Sequence, residues 1–410
     1  MSDEILTLEI PYGSNGLLKG EVLAKQVLAH YQPQANVTDI ASALRNSFNE
    51  PLEFPRLSQA CVAGDKIVLA LDDQTPRADA VIALLWKELS SAGVLPEDVL
   101  ILQPGTWQSS TALNPRSLLP KEIQEKIQLQ RHDPTDEENY GYLASTAAGE
   151  RIYFANTIIE ADMVIHIGPA AFDPILGYRG EASFLYPAYS DTAAIVKQIG
   201  HGHDELTSSD SRPLRQQAEE IGWLLGIQFV ISIIPGRGKG IQTILAGLAD
   251  AVAREVRQEL ESTCKLKVSE RAELVVVAVE EGETDQTWDQ VATAIDTARR
   301  IVERDGRIVV LSQLKEKRGP GLDILSQVRN PSDALKPIQK ENPHDFRAAT
   351  NIAKAADWAN VYLLSEVPSD QIEELFLIPV ANEKEVQKLL TGDETKIIVE
   401  CAQKVNAFCQ

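Results

Sequence analysis

The sequence predicts an α/β protein of two domains, each built on a mostly parallel sheet, with an interdomain cleft. Three observations predict it. The segment 66–71 (KIVLAL) is apolar on both faces, as strands of a parallel sheet covered on two sides are. A helical pattern over 78–92 and a strand over 99–102 follow it, which makes a βαβ unit. The same alternation begins again at Leu274, and 410 residues suffice for two cores.

In chain order, residues 5–10 read as a strand closed by Pro11-Tyr12-Gly13, and 36–49 as an amphipathic helix capped by Asn36. The 66–71 strand ends at Asp72-Asp73-Gln74-Thr75-Pro76-Arg77, where the 78–92 helix starts. The 99–102 strand stops at Pro104-Gly105-Thr106-Trp107. Residues 110–150 are polar, with one helix near 121–128 and the pair His132-Asp133. Strands at 151–155 and 162–167, a helix over 214–225 and a strand at 229–234 come next. Gly236-Arg237-Gly238-Lys239-Gly240 then leads into a long helix expected over 241–260. The second pattern comprises strands at 274–279, 307–311, 361–365 and 396–399, with helices at 288–302, 346–356, 370–375 and 383–390. These elements place one domain over 1–265, with 395–410 as its possible return, and the other over 266–394.

A net charge of −21 opposes nucleic acid and anionic membrane as partners, because a polyanion would be repelled. Four cysteines without CxxC spacing (Cys61, Cys264, Cys401, Cys409) read as free thiols of a reducing compartment. The first residues show neither a basic nor an apolar leader segment, and no apolar run reaches membrane-spanning length. The expectation is a cytoplasmic protein.

The chemistry centres on residues 164–187, VIHIGPAAFDPILGYRGEASFLYP. A buried strand ends at Gly168-Pro169, and Gly177-Tyr178-Arg179-Gly180 follows, a glycine-bearing loop where open α/β sheets hold ligands. This stretch resembles the nickel-pincer lactate racemase family, which carries a histidine, three residues and Gly-Tyr-Ser-Gly-Gly-x-Lys in this place. The resemblance extends to the Pro-Tyr-Gly turn and to Asp73-Gln74-Thr75-Pro76-Arg77, where the family reads Asp-x-Thr-Arg-Pro. It implies an isomerase, a racemase or epimerase of a small 2-hydroxy acid, working with a nickel-pincer nucleotide.

Several positions depart from the family pattern. Asp173 stands at the histidine, Glu181 at the second glycine, and Ser183 at the lysine that tethers the cofactor. Trp107 replaces the other acid/base histidine of Gly-Thr-His-Arg, and an indole exchanges no proton at neutral pH. In the family's Tyr-Gln-x-x-Lys, only Gln290 survives between Asp289 and Thr293. His201 and His203 fall near the family's metal ligand, although loop histidines are commonly just solvated.

The expected substrate contacts are therefore Asp73, Thr75, Arg77, Tyr178 and Gln290. Arg77 suits a carboxylate, while Asp73, Thr75 and Pro76 are also good helix-start chemistry. Asp173 is the remaining candidate base, and the expected cofactor is none. The expected partner is a small hydroxy acid or sugar acid. One alternative is an active racemase with a metal at His201 or His203. Another is a nucleotide-binding oxidoreductase using the 236–240 glycines at a helix N-terminus.

Overall fold

The strand Ile67–Leu71 is buried along its whole length, so both faces and both edges need neighbours. It finds them in a six-stranded sheet, in a computed structural model that describes residues 4–105, 114–180, 182–197, 202, 206–282 and 285–410. The described chain divides into two units.

The first unit spans residues 35–198 and 202–261. Its sheet runs Ile241–Leu248, Phe229–Pro235, Met163–Pro169, Ile67–Leu71, Val99–Gln103, Gln128–Arg131. Every neighbouring pair is parallel except the first, which is a hairpin. The expected strands at 66–71, 99–102 and 163–167 are thus parallel neighbours. One face packs Ile67, Leu69, Leu71, Ile101, Ile165 and Ile167 against the helix Ala78–Ser91 and the helix Ile40–Asn49. The other face packs Val68, Ala70 and Leu102 against Phe154, Tyr189 and the helix Pro213–Leu224.

Three expectations change here. The helix expected over 241–260 is instead the strand Ile241–Leu248 followed by the helix Ala249–Thr263. Ile241, Thr243 and Ile244 are β-branched and favour the antiparallel edge position. The first helix starts at Ile40 with Asp39 as its cap, the Asp39 carboxylate accepting from the Ser42 amide at 2.9 Å. Asn36 serves the 236–240 turn: it accepts from the Arg237 amide at 2.8 Å and donates to the Arg237 carbonyl at 3.1 Å. A Cβ on Gly236 or Gly240 would lie 1.9 Å from its amide group, so close approach explains those glycines. Finally, Gln128–Arg131 adds an edge strand whose polar sequence carries no apolar signal.

The second unit comprises residues 4–34 and 262–410 among those described. Its sheet is parallel throughout: Ile378–Val380, Asn360–Leu364, Val302–Leu311, Ala272–Ala278, Lys396–Val399, Val27–Tyr31. The division at 261/262 lies near the expected 265, but the chain start goes with the second unit. Lys396–Val399 is wholly buried and pairs on one side with Ala272–Ala278 and on the other with Val27–Tyr31. Residues 395–410 therefore stay in this unit and do not return to the first. Among the described residues no helix is long and apolar enough to cross a membrane.

Candidate functional site

Parallel strands put all their carboxyl ends at one edge, where the outgoing loops gather polar groups. In the first unit, Ile67–Leu71 delivers Asp72 and Asp73 there, both buried. The Asp72 amide donates to the Ile167 carbonyl at 2.9 Å, which carries the ladder one residue further. One Asp72 oxygen accepts from the Gln74 amide at 2.8 Å, and the other accepts from Arg179 Nη2 at 2.8 Å. Asp73 accepts two bonds from Arg131, at 2.7 and 3.2 Å, and Arg131 also donates to the Pro104 carbonyl at 2.8 Å. Burial pushes the Asp73 carboxyl up, against the downward pull of Arg131. Two adjacent carboxylates thus hold one guanidinium each, Arg131 from the edge strand and Arg179 from the loop after Met163–Pro169.

That loop is a hairpin of Ala171–Asp173 with Gly177–Arg179. Asp173 closes it by accepting from the Ile175 and Leu176 amides, both at 2.8 Å. Gly177 has φ +79°, and a Cβ there would lie 2.1 Å from the Ser208 carbonyl oxygen, so only glycine fits. Buried Arg212 donates to the Pro174 and Thr207 carbonyls, both at 2.9 Å. Arg215 donates to the Leu176 and Ser208 carbonyls at 3.1 and 3.0 Å. The Tyr178 hydroxyl donates to Glu261 at 2.7 Å. So anchored, the hairpin sends Arg179 towards Asp72, with its guanidinium over the Phe184 ring at 5.1 Å.

Phe184 also stacks on His166, ring centroids 4.4 Å apart. His166 is 1% exposed, and neither ring nitrogen has a hydrogen-bond partner. Burial first, and then Arg179, lower its pKa to about 3, so the imidazole is neutral. Nearby, His132 Nε2 donates to the Ser190 carbonyl at 2.8 Å, and burial lowers its pKa as well. That contact fixes the strand end and leaves its ring no part in the charged cluster.

The expected residues meet only in part. Asp73 and Thr75 lie at this edge, but the Thr75 hydroxyl is buried and donates to the Asp72 carbonyl at 2.6 Å, shaping the loop. Arg77 adopts a left-handed backbone, φ 51°, and its Nε reaches Asp79 at 3.2 Å on the helix it begins. Tyr178 braces the hairpin, and Asp173 is its turn residue. The Ser183 hydroxyl donates to the Gly180 carbonyl at 2.8 Å and accepts from the Gly180 amide at 3.0 Å. Gln290, in the second unit, completes a capping box with Thr287, the two side chains bonding each other's backbone. Its neighbour Asp289 pairs with Arg347. Thr106, Trp107, Glu181, His201 and His203 lie outside the described residues. The glycines of 236–240 turn a hairpin and open no helix, so they offer no helix N-terminus to a phosphate.

Sequence reasoning missed Asp72, Arg131, Arg179 and His166. For two of them a signal existed: His166 interrupts an apolar strand, and Arg179 replaces a serine in the Gly-Tyr-Ser-Gly motif. Arg131 announces itself only through its distance to Asp73.

Residues 12–211 match the model of the lactate racemase N-terminal domain. This stretch, just under half of the chain, is thus similar to the lactate racemase N-terminal domain. The fold agrees over nearly the whole length. The lactate racemase apoprotein from Thermoanaerobacterium thermosaccharolyticum superposes with TM-score 0.79 at 15% identity, covering 98% of this chain and 100% of that one. A protein from Thermotoga maritima superposes with TM-score 0.65 at 13% identity, covering 93% and 100%. No curated protein matches the chain.

The nickel-pincer nucleotide that this family implies needs an amine for its tether and donors for its metal. At the tether position the Ser183 hydroxyl is committed on both sides to Gly180, which does not fit a lysine-borne thioamide. Among the described residues no group of three or more histidine, cysteine or acidic side chains is placed to hold a metal ion.

Proposed function

We propose that this lactate racemase-like protein binds a small 2-hydroxy acid or related anion, such as a sugar acid, at the carboxyl edge of the first sheet, without the nickel pincer. The observation that carries this reading is Ser183. It stands where the family places its tethering lysine, and its hydroxyl caps the turn that holds Arg179. The family keeps hydroxy-acid chemistry at this edge, and the aspartate–threonine loop that shapes it is retained in Asp73 and Thr75. The pairing of both carboxylates with arginines leaves the cluster neutral, which admits an anion that two bare aspartates would repel.

Any chemistry on the bound acid would be of the isomerase kind and would run on the chain's own groups. Here the neutral His166 imidazole is sealed behind Phe184, and Asp173 is engaged in its turn. The reading therefore emphasises binding. Thermal melting in the presence of 2-hydroxy acids and sugar acids tests it, because a ligand selective for the folded state raises the melting temperature by mass action. At about 100 times the dissociation constant the gain is about 2.7 kcal/mol. A panel that leaves the melting temperature unmoved at millimolar ligand contradicts the reading.

A further inference from the structure

We infer that Arg179 is the carboxylate receptor of this site and that its ligand is a small acid with one carboxylate. The inference rests on the hydroxy-acid reading above and assigns the residue that does the holding. Arg179 gives Asp72 a single bond, from Nη2 at 2.8 Å, and is steadied from one side by the Phe184 ring. Its Nε and Nη1 have no acceptor among the described residues, and 43% of the side chain is exposed. A guanidinium held on one corner, with Nε–H and Nη–H donors uncommitted, presents the fork that matches a carboxylate with two parallel bonds.

Arg131 cannot share that task in the same way. Its two terminal nitrogens are taken by Asp73, by the Pro104 carbonyl and by the Gln103 side chain at 3.4 Å. One open fork implies one carboxylate. Arg77, the arginine that sequence reasoning favours, is tied to Asp79 two residues on. The buried His166 below Phe184 bonds to nothing and carries no charge, so it neither repels Arg179 nor competes for the acid. Arg179 also sits in the motif that has lost its tethering lysine. The chain places a fixed side-chain cation where the family relies on a bound cofactor.

Isothermal titration of the full chain with D-lactate, L-lactate and glycolate tests this, using wild type, Arg179→Gln, Arg179→Lys and Arg77→Gln. Arg179→Gln should weaken binding about 10- to 100-fold, the value of a charge-assisted hydrogen bond. Arg179→Lys should recover part of the loss, because a point charge replaces the fork. Arg77→Gln should leave affinity within about twofold, as for an exposed local ion pair. As a readout that needs no variant, phenylglyoxal should modify Arg179 in the free protein, and bound lactate should protect it, as read by peptide mass mapping. Affinity lost in Arg77→Gln and kept in Arg179→Gln would overturn the inference and leave the function reading standing. A wild-type protein that binds none of the three acids and none of the sugar acids of the melting panel would overturn the function reading, and the inference with it.

Discussion

The two parallel sheets end in edges of opposite character. In the first unit, Asp72, Asp73, Arg131 and Arg179 form two ion pairs, and one guanidinium keeps open donors. In the second unit the edge is filled by the chain itself. Gln286 donates to the Val279 carbonyl at 2.7 Å and accepts from the Gln313 amide at 2.7 Å. The Pro-Tyr-Gly turn lies across the same strand end, the Gly13 amide donating to the Val279 carbonyl at 2.8 Å. Gln313 in turn bonds the Ser14 amide at 2.8 Å and Asn15 at 2.7 Å. At the next strand His30 and Gln32 both engage the buried Glu400, at 2.8 and 2.9 Å. Topology alone marks both edges as ligand sites. What separates them is how the polar groups are used: one edge closes on side-chain amides and on the buried Glu400, which His30 and Gln32 engage, and the other retains a cation with donors to spare.

This contrast breaks most visibly at Gly177. Gly177→Ala sets a Cβ against a backbone carbonyl in a left-handed conformation, so neither partner can yield cheaply. We expect a loss of about 2–4 kcal/mol in urea unfolding, with acid binding lost alongside, since Arg179 leaves from this hairpin. Unchanged stability would show that the hairpin is not held as described.

Next in size is the pH dependence set by His166. Its folded pKa, about 3, lies below the unfolded value near 6.5, so the folded state binds fewer protons. Stability is therefore complete above about pH 6.5 and falls as pH drops through the window down to about 3. Between pH 6.5 and 4.5 the loss is about 2.3 kcal/mol, the slope reaching 1.36 kcal/mol per unit only once the unfolded imidazole is fully protonated. His166→Leu should flatten that part of the profile, and a profile equally steep in the variant would place the effect elsewhere.

Smaller effects belong to the closed edge and the helix start. Gln313→Ala removes the bonds to Ser14 and Asn15 and should cost about 1 kcal/mol in the same unfolding assay. It should leave lactate affinity untouched, whereas a change in affinity would mean that the second edge takes part. Arg77→Ala breaks a partly exposed pair with Asp79, and about 0.2–1 kcal/mol is expected for that pair.

Much of this fold was legible because parallel strands are written as continuous apolar runs. Segments such as Ile67–Leu71, Val99–Gln103 and Lys396–Val399 announce themselves in that way. Two elements were not. Ile241–Leu248 follows glycines that look like a phosphate loop, and its apolar residues fit either period until Asn36 is seen filling the turn. Val27–Tyr31 joins a sheet whose other strands begin at residue 272, a pairing that no local pattern encodes. The site was legible by position and not by partner. Asp73 and Thr75 lie at the edge where the motif put them, but Arg77 turned to its own helix. Arg131 and Arg179 lie 58 and 107 residues along the chain from the aspartates they neutralise. Tertiary ion pairs of that separation leave no periodic trace.

The most direct measurement is the intact mass of the full chain made in cells able to synthesise the pincer nucleotide, with mapping of the peptide that contains Ser183. The account predicts the mass of the bare polypeptide and no stoichiometric nickel, because the Ser183 hydroxyl caps Gly180 and offers no amine. An added mass localised to that peptide, with nickel bound in proportion, would contradict it.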